Sequence, residues 1–454
     1  MVNVDARGKR VLELRDLYLK LAVTPIDQVE SFQRARLVSL LQLAQSNSWW
    51  RERLAAVDLN EVSIHDWIRQ LPFTSRSDIQ DFLKQMQVEL PGSVDHDFAV
   101  QKTSGSTGQP IQVIKHSSYF EEVDAVALME YAWHQRDTTK QMLVFRLGLE
   151  TSNSVPLGPP LSYLGEGAPV HQMSSLHNSP KQLLDAISEL KPSYLLSNPV
   201  SLRLAAHEQI QRPQRLNRIE QVITLADRVD PSLRQLVKDV FGAKIVDRYS
   251  SVEFGPIALQ CPFENHLHVI SPLVYVEILN ANNEPCEIGE PGRVVITGLR
   301  NAAMPILRYE QGDVAQWGAP CIHGITWPVI DDIHGRVRQV TDGPDGLPRL
   351  VTLFGADFMM IRDILDFMVV KYDDCVVFVA QIRNPLSLPA QQRIIDSMHK
   401  AFGYPLRVVF RLTGQPLGPV TWKAFEIYLM QGVFPQEASI ADIRTSIAAA
   451  SLDS

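Results

Sequence analysis

Apolar residues along this chain follow two periods, and the change from one to the other outlines the architecture. Within residues 26–58, Phe32, Leu37, Leu40, Leu41 and Leu43 recur at helical intervals, which predicts helix. Phe98-Ala99-Val100 and Ile111-Gln112-Val113-Ile114 are short runs suited to strands on either side of a glycine-rich segment. Tyr119 to Trp133 carries a helical face of Val123, Val126, Leu128 and Met129. Four short apolar runs follow: Met142-Leu143-Val144-Phe145, Tyr194-Leu195-Leu196, Val222-Ile223-Thr224-Leu225 and Lys244-Ile245-Val246. Amphipathic segments 181–190 and 231–241 lie between them, and strands separated by helices predict a parallel sheet. From about 269 to 309 the pattern turns β-rich. Val274-Tyr275-Val276-Glu277-Ile278-Leu279 and Arg293-Val294-Val295-Ile296-Thr297, with turns between them, predict a meander or barrel. After Arg336 the pattern restarts: hairpin over 347–353, helix over 362–368, strand at Val376-Val377-Phe378-Val379-Ala380, helix over 389–402, strand at Leu406-Arg407-Val408-Val409-Phe410. The expected fold class is α/β. A large N-terminal domain, residues 1–336, carries parallel-rich sheets flanked by helices and a β-barrel-like subdomain; a small α+β domain fills 337–454.

Composition changes this picture little. A chain of 454 residues exceeds what one core usually supports, in keeping with two domains. A net charge of −8 argues against non-specific nucleic-acid binding. Four cysteines in this length are not a disulfide framework. The N-terminus has no signal-peptide core and no stretch approaches the ~18 apolar residues of a membrane span, so no membrane is expected and the cytoplasm is the simplest location. The oligomeric state stays open, a homodimer included.

Two groups of residues carry candidate chemistry. Thr103-Ser104-Gly105-Ser106-Thr107-Gly108-Gln109-Pro110 combines glycines, which let a backbone approach a ligand, with hydroxyls beside them. Such a turn makes a nest for an anion, so a phosphate-bearing substrate is the first reading and a polar surface loop the second. It is not a P-loop, because Gln109-Pro110 stands where a lysine would follow Gly108. Cys261 and His268, with Cys321 and His323, are two thiols and two imidazoles of the types that close a tetrahedral zinc site. Two buried free cysteines and two solvated histidines are the alternative.

Six segments in order carry a resemblance. They are Ser46-Asn47-Ser48-Trp49-Trp50-Arg51-Glu52-Arg53-Leu54, Leu71-Pro72-Phe73-Thr74-Ser75-Arg76-Ser77-Asp78-Ile79, the Thr103–Pro110 turn, Tyr249-Ser250-Ser251-Val252-Glu253, Leu307-Arg308-Tyr309-Glu310-Gln311-Gly312-Asp313, and His334-Gly335-Arg336. Together they resemble the adenylate-forming superfamily of acyl-CoA synthetases, adenylation domains and luciferases, in its phenylacetate-CoA ligase-like branch. The resemblance implies ATP-dependent activation of an acid to acyl-AMP, then thioester formation. The acceptor is CoA or the phosphopantetheine of a separate carrier protein, and the small domain is a mobile lid. It implies that Thr103, Ser104, Gly105, Ser106, Thr107 and Gly108 hold phosphates and that Glu253 binds Mg²⁺. Asp313 takes the ribose, with Arg336 beside it; Tyr249 stacks on adenine near Ser250, and Asp227 meets the adenine edge. Lys423, in Trp422-Lys423-Ala424-Phe425, is the lid lysine at the α-phosphate. The acid pocket falls among Tyr131, Trp133, Phe145, Phe254 and Pro256, whose aromatic rings favour an aryl or arylacetic acid. Trp422 replaces the family's glycine and Gln339 its charged hinge residue, so a nucleotide-binding protein without ligase activity is the competing reading.

Overall fold

The structure, a computed structural model, describes residues 5–58, 63–89, 98–102, 111–146, 149, 153–155, 167–175, 177–336, 340–342, 348–350, 361, 363–415, 417, 427–430 and 432–450. The chain divides into two compact units: residues 1–311 with 315–333, and residues 312–314 with 334–454. No described helix is long and apolar enough to cross a membrane.

In the first unit a six-stranded sheet runs in the order Asn153–Val155, Val170–Ser174, Met142–Arg146, Tyr194–Ser197, Gln221–Thr224, Lys244–Val246. Only the pairing of Asn153–Val155 with Val170–Ser174 is antiparallel. Parallel neighbours need crossovers, and the helices Pro180–Leu190, Pro199–Gln211 and Pro231–Phe241 supply them. All three start alike. Ser179, Asn198 or Asp230 accepts a backbone N–H at the N-cap, and a proline follows where its missing N–H costs nothing. Leu143, Leu195, Val222 and Ile245 from the strands meet Leu183, Ile187, Leu202, Val237 and Phe241 from the helices in a dry core.

A seven-stranded sheet follows. Its order is Val274–Leu279, Pro291–Gly298, Tyr309–Trp317, Val329–Arg336, Leu267–Val269, Gly255–Gln260, Arg248–Ser251. The first four make the expected meander, but the β-rich region begins at Arg248 rather than near residue 269. The N-terminal helices Ala6–Leu21, Ile26–Ala44, Ser48–Arg53, Ile64–Gln70 and Arg76–Glu89 precede both sheets. Trp50, Trp67 and Trp327 are fully buried in the largest core, which these helices share with the seven-stranded sheet. The helical stretch expected over 26–58 breaks before Ser48 because the Asn47 carboxamide accepts from Trp49 N at 2.9 Å and Trp50 N at 3.3 Å, starting a new helix.

One buried ionic cluster connects helix and both sheets. Glu130, in the helix Ser117–Trp133, accepts from Arg136 Nη1 at 2.8 Å and from Arg248 Nε at 2.7 Å. Arg136 Nε reaches Gln221 Oε1 at 2.9 Å on the six-stranded sheet, and Arg248 opens the last strand of the seven-stranded one. Burial works against the Glu130 charge, but Arg136 and Arg248 outweigh it and hold the carboxyl well below the usual range.

The second unit is built on a four-stranded sheet in the order Val408–Thr413, Val376–Ile382, Ile364–Lys371, Ile427–Leu429. The short strands Val340–Asp342 and Pro348–Leu350 pair as a hairpin. Alternate residues of the sheet enter opposite cores. Phe367, Val369, Val376 and Phe378 pack with Ile394, Met398 and Phe402 of the helix Leu388–Phe402; Val370, Val377 and Val379 pack with Phe434 and with Ile443 of the helix Ile440–Ala450. This corrects the expectation of helix over 362–368. Ile364–Lys371 is a strand, because the apolar run continues into Val369 and Val370 and alternates between two covered faces.

Replacing Glu130 with Gln leaves two arginines facing an uncharged partner. Urea unfolding of Glu130→Gln should show a loss of about 3–5 kcal/mol at neutral pH. Because the folded carboxyl lies below its unfolded value, the native protein should lose this contribution as pH falls below the ordinary carboxylate range, and the variant should be less acid-sensitive there. A loss under about 1 kcal/mol would mean the cluster is not the anchor described.

Candidate active site

The hairpin between Arg248–Ser251 and Gly255–Gln260 places Glu253 at its turn. The turn is shaped by two local devices. Ser251 Oγ accepts from Phe254 N at 3.2 Å. Gly255 has φ +64°, and a Cβ there would lie 2.6 Å from the Tyr119 hydroxyl, so only glycine lets the hairpin close on the helix Ser117–Trp133. Glu253 is nevertheless buried, and its Oε1 lies 3.5 Å from the Tyr309 hydroxyl.

Lys115 is the residue that sequence reasoning missed. It lies in the strand Gln112–His116, is 2% exposed, and donates to Val252 O at 2.7 Å and Gln101 Oε1 at 2.9 Å. Its ammonium also sits 4.5 Å over the Tyr119 ring. Burial lowers the Lys115 pKa to about 8, against the opposing pull of the Glu253 carboxylate. A lysine so placed, bonded to the carbonyl of the residue before a buried glutamate, is an unusual charge to hide. Lys115 stands five residues after the glycine-rich turn, directly after the run Ile111-Gln112-Val113-Ile114, and nothing in the sequence marks it as buried.

Tyr309 and Asp313 share the strand Tyr309–Trp317. Burial alternates along it up to Gly312, whose φ of +79° only glycine adopts freely; then Asp313, Val314 and Ala315 are all buried. Arg336 closes the neighbouring strand Val329–Arg336. The segment before Tyr309 is heavily anchored. Arg308, at φ +44°, donates from Nε and Nη2 to Glu277 at 3.2 and 3.1 Å and from Nη1 to Arg69 O at 3.0 Å and Leu71 O at 3.2 Å. Its guanidinium also lies 4.1 Å over the Phe73 ring. Thr74 Oγ1 donates to Leu307 O at 2.6 Å, Trp50 Nε1 donates to Pro305 O at 3.2 Å, and Arg53 Nη2 donates to Phe73 O at 2.8 Å. Three of the six recognised segments are therefore one scaffold: Ser46–Leu54 and Leu71–Ile79 brace Leu307-Arg308-Tyr309.

The remaining expected positions fall as follows. Thr103, Ser104, Gly105, Ser106, Thr107 and Gly108 lie outside the described residues, as do Lys423, Trp422 and Gln339; the strands Phe98–Lys102 and Gln112–His116 on either side of the turn pair antiparallel with Lys102 opposite Gln112. Tyr249 is buried and Ser250 half-buried on the Glu253 hairpin. Asp227 is exposed, and its Oδ1 accepts from Arg228 N at 3.0 Å. Between them Asp247 accepts from Thr224 Oγ1 at 2.6 Å and Arg248 N at 2.9 Å, and burial pushes its carboxyl up to about 6. Phe254 and Pro256 belong to the Glu253 hairpin, and the Phe254 ring lies 6.0 Å from that of Tyr309. Tyr131 is stacked by Arg136 at 5.3 Å, Trp133 packs on Trp327 at 5.8 Å and His268 at 5.9 Å, and Phe145 lies in the core of the six-stranded sheet.

Among the described residues, the gathered thiols and imidazoles are Cys261, His266, His268 and Cys321. His266 stands where His323 was expected. His323 Nε2 instead faces Glu264 Oε1 at 3.4 Å, while His323 N donates to Cys321 Sγ at 3.5 Å.

A family model described as AMP-binding enzyme matches residues 21–304, more than half of the 454-residue chain. No curated protein sequence matches significantly. Among solved structures, 2-hydroxyisobutyryl-CoA ligase in the postadenylation state with R3-HIB-AMP is similar over 95% of this chain and 94% of its own, with a TM-score of 0.70 and 14% identity. The same ligase in an open conformation with 2-HIB-AMP and CoA gives a TM-score of 0.63 at 14% identity, over 89% of this chain and 93% of its own. The anthranilate CoA ligase AuaEII in complex with anthranoyl-AMP gives 0.52 at 13% identity, over 86% and 72%. At these identities the likeness is one of fold, and it agrees with the α/β architecture of two sheets and a smaller C-terminal unit. With the family match spanning the Glu253 hairpin, the chain belongs to the AMP-binding enzyme family.

Proposed function

We propose that the protein activates a carboxylic acid as acyl-AMP and transfers the acyl group to a thiol, with CoA as the acceptor. In the first step a carboxylate oxygen attacks the α-phosphorus of ATP and pyrophosphate leaves. In the second the thiol gives up its proton, its sulfur bonds to the acyl carbon, and AMP leaves. The observation that carries this reading is the buried Glu253 carboxylate at the turn of a hairpin inside the matched region. Among the described residues its one hydrogen bond is the long contact from Tyr309, so its oxygens keep capacity for a hard cation. The residues thus fit Mg²⁺, which when bound neutralises phosphate charge.

The protein's own groups take the other roles. Thr103, Ser104, Gly105, Ser106, Thr107 and Gly108 cradle the outer phosphates. Asp313, an acceptor-only carboxylate when ionised, takes the ribose hydroxyls, with Arg336 beside it. Tyr249 and Ser250 flank the adenine, and Asp227 meets its edge. Lys423 brings a mobile positive charge to the α-phosphate. Lys115 holds the Glu253 turn through Val252 O. Phe254 and Pro256 border the acid, and the Phe254 ring beside Tyr309 suits a flat aryl or arylacetic acid; Tyr131 and Trp133 lie at the other end of the helix Ser117–Trp133 from Tyr119, where Gly255 meets it, and are not part of that wall. The second CoA-ligase neighbour, an anthranilate ligase, supports an aryl acid, and the first, a 2-hydroxyisobutyryl-CoA ligase, makes a short hydroxy acid the comparison to run beside it.

Pyrophosphate exchange into ATP, measured against aryl, arylacetic, short hydroxy, fatty and amino acids, should depend on an aryl or arylacetic acid. ATP binding without exchange for any acid would leave a nucleotide-binding protein in place of a ligase. Lys423→Ala and Glu253→Gln should each slow exchange about 10²–10³-fold, and Asp313→Asn should raise the KM for ATP roughly tenfold or more. Unchanged exchange in any of the three removes that residue from the reading.

Lys115 makes a prediction of its own. Its folded pKa of about 8 lies below the ordinary 10.5, so the folded state gives up a proton that the unfolded chain keeps across that window. The cost of the buried charge is full below about 8 and fades as pH rises. Relative to Lys115→Met, the native protein should gain about 2 kcal/mol between roughly pH 7.5 and 9.5 in urea unfolding. Parallel stability curves would show that Lys115 is not titrating there.

A further inference from the structure

Cys261 follows the strand Gly255–Gln260, and the chain turns back so that His266 and His268 lie at and within Leu267–Val269. The turn is closed by Cys261 N donating to His266 O at 2.9 Å. Cys321 arrives from elsewhere, in the loop between Tyr309–Trp317 and Val329–Arg336. One ligand atom from each of the four residues lies within 4.8 Å of every other.

The separations are those of a tetrahedron. Zinc–sulfur bonds of about 2.3 Å set sulfur atoms about 3.8 Å apart at tetrahedral angles, and zinc–nitrogen bonds of about 2.0–2.1 Å set nitrogens about 3.3–3.4 Å apart. The two sulfurs here are 4.0 Å apart and the two Nε2 atoms 3.3 Å apart. All four cysteines are free thiols, and 4.0 Å is far outside a disulfide bond. The surroundings orient the ligands as well. His268 Nδ1 lies 3.2 Å from Trp327 O; a carbonyl only accepts, so Nδ1 carries the hydrogen and the Nε2 lone pair faces the cluster. Cys321 Sγ accepts from His323 N at 3.5 Å, and the amides of Phe263 and Glu264 bond to the Cys261 sulfur. Cys261 and His268 are fully buried, with Trp133 against the His268 ring and Trp327 against Trp133, while His266 and Cys321 reach solvent.

We propose that Cys261, His266, His268 and Cys321 bind one structural zinc ion that ties the 261–266 turn to the 318–328 loop. Two thiolates and two imidazoles select zinc over magnesium or calcium, and four protein ligands leave no open position for catalysis. The proposal stands independently of the ligase reading.

Metal analysis of the full-length protein, purified without added metal and dialysed, should find about one zinc ion per chain. Cys321→Ser should lose most of it, whereas Cys286→Ser, outside the cluster, should retain it. Cobalt substituted for zinc should give the thiolate charge-transfer and tetrahedral ligand-field bands of a two-sulfur, two-nitrogen site. Stripping the metal with a chelator should lower the melting temperature. The proposal is overturned if the native protein holds no zinc and takes up neither zinc nor cobalt. It is equally overturned if zinc persists in Cys261→Ser/Cys321→Ser, or if intact mass without reductant shows the two cysteines oxidised to a disulfide.

Discussion

Glu130 is where the first unit is held together. A carboxylate with no exposure is costly to bury, and only charged donors on both sides make it tolerable. Arg136 comes with the six-stranded sheet, through Gln221, and Arg248 comes with the seven-stranded one. Two sheets and the helix Ser117–Trp133 are thereby referred to one point, and the strand that carries Tyr249 and leads to Glu253 starts at that point. An apolar substitute would not reproduce this, since a hydrophobic contact tolerates sliding and a two-sided hydrogen-bonded charge does not.

The scaffold explains why distant segments of the sequence resemble one family together. Arg308, Thr74, Trp50 and Arg53 do no chemistry in the arrangement described. They brace one strand end by bonding backbone carbonyls of one another's segments. The groups proposed to meet the nucleotide are others: Glu253, Asp313, Arg336, Tyr249, Ser250, Asp227, Lys423 and the glycine-rich turn. Half of what makes the sequence recognisable is thus mechanical.

Much of this was legible in the chain. The short apolar runs beginning at Met142, Tyr194, Val222 and Lys244 are strands of one parallel-rich sheet because each is buried on both faces and bounded by helices. The capped-proline starts at Ser179, Asn198 and Asp230 would have sharpened those boundaries. What failed to show depended on pairing across the fold. Ile364–Lys371 looks helical until its partner Val376–Ile382 is known. His266 outranks His323 only because the turn after Cys261 brings residues 261 and 266 together, a register no spacing rule supplies. Lys115 reads as a surface lysine until the Glu253 hairpin folds over it.

The bracing of Leu307-Arg308-Tyr309 has an implication for how the molecule is made. Trp50 and Pro305 are 255 positions apart, and Thr74 and Leu307 are 233 apart. At ribosomal speeds of about 5–20 residues per second, the N-terminal helices wait on the order of ten to fifty seconds for the segment that seals them. Their tryptophans spend that interval without their final cover, so the nascent chain, rather than the finished enzyme, is the form most exposed to aggregation and most in need of a chaperone.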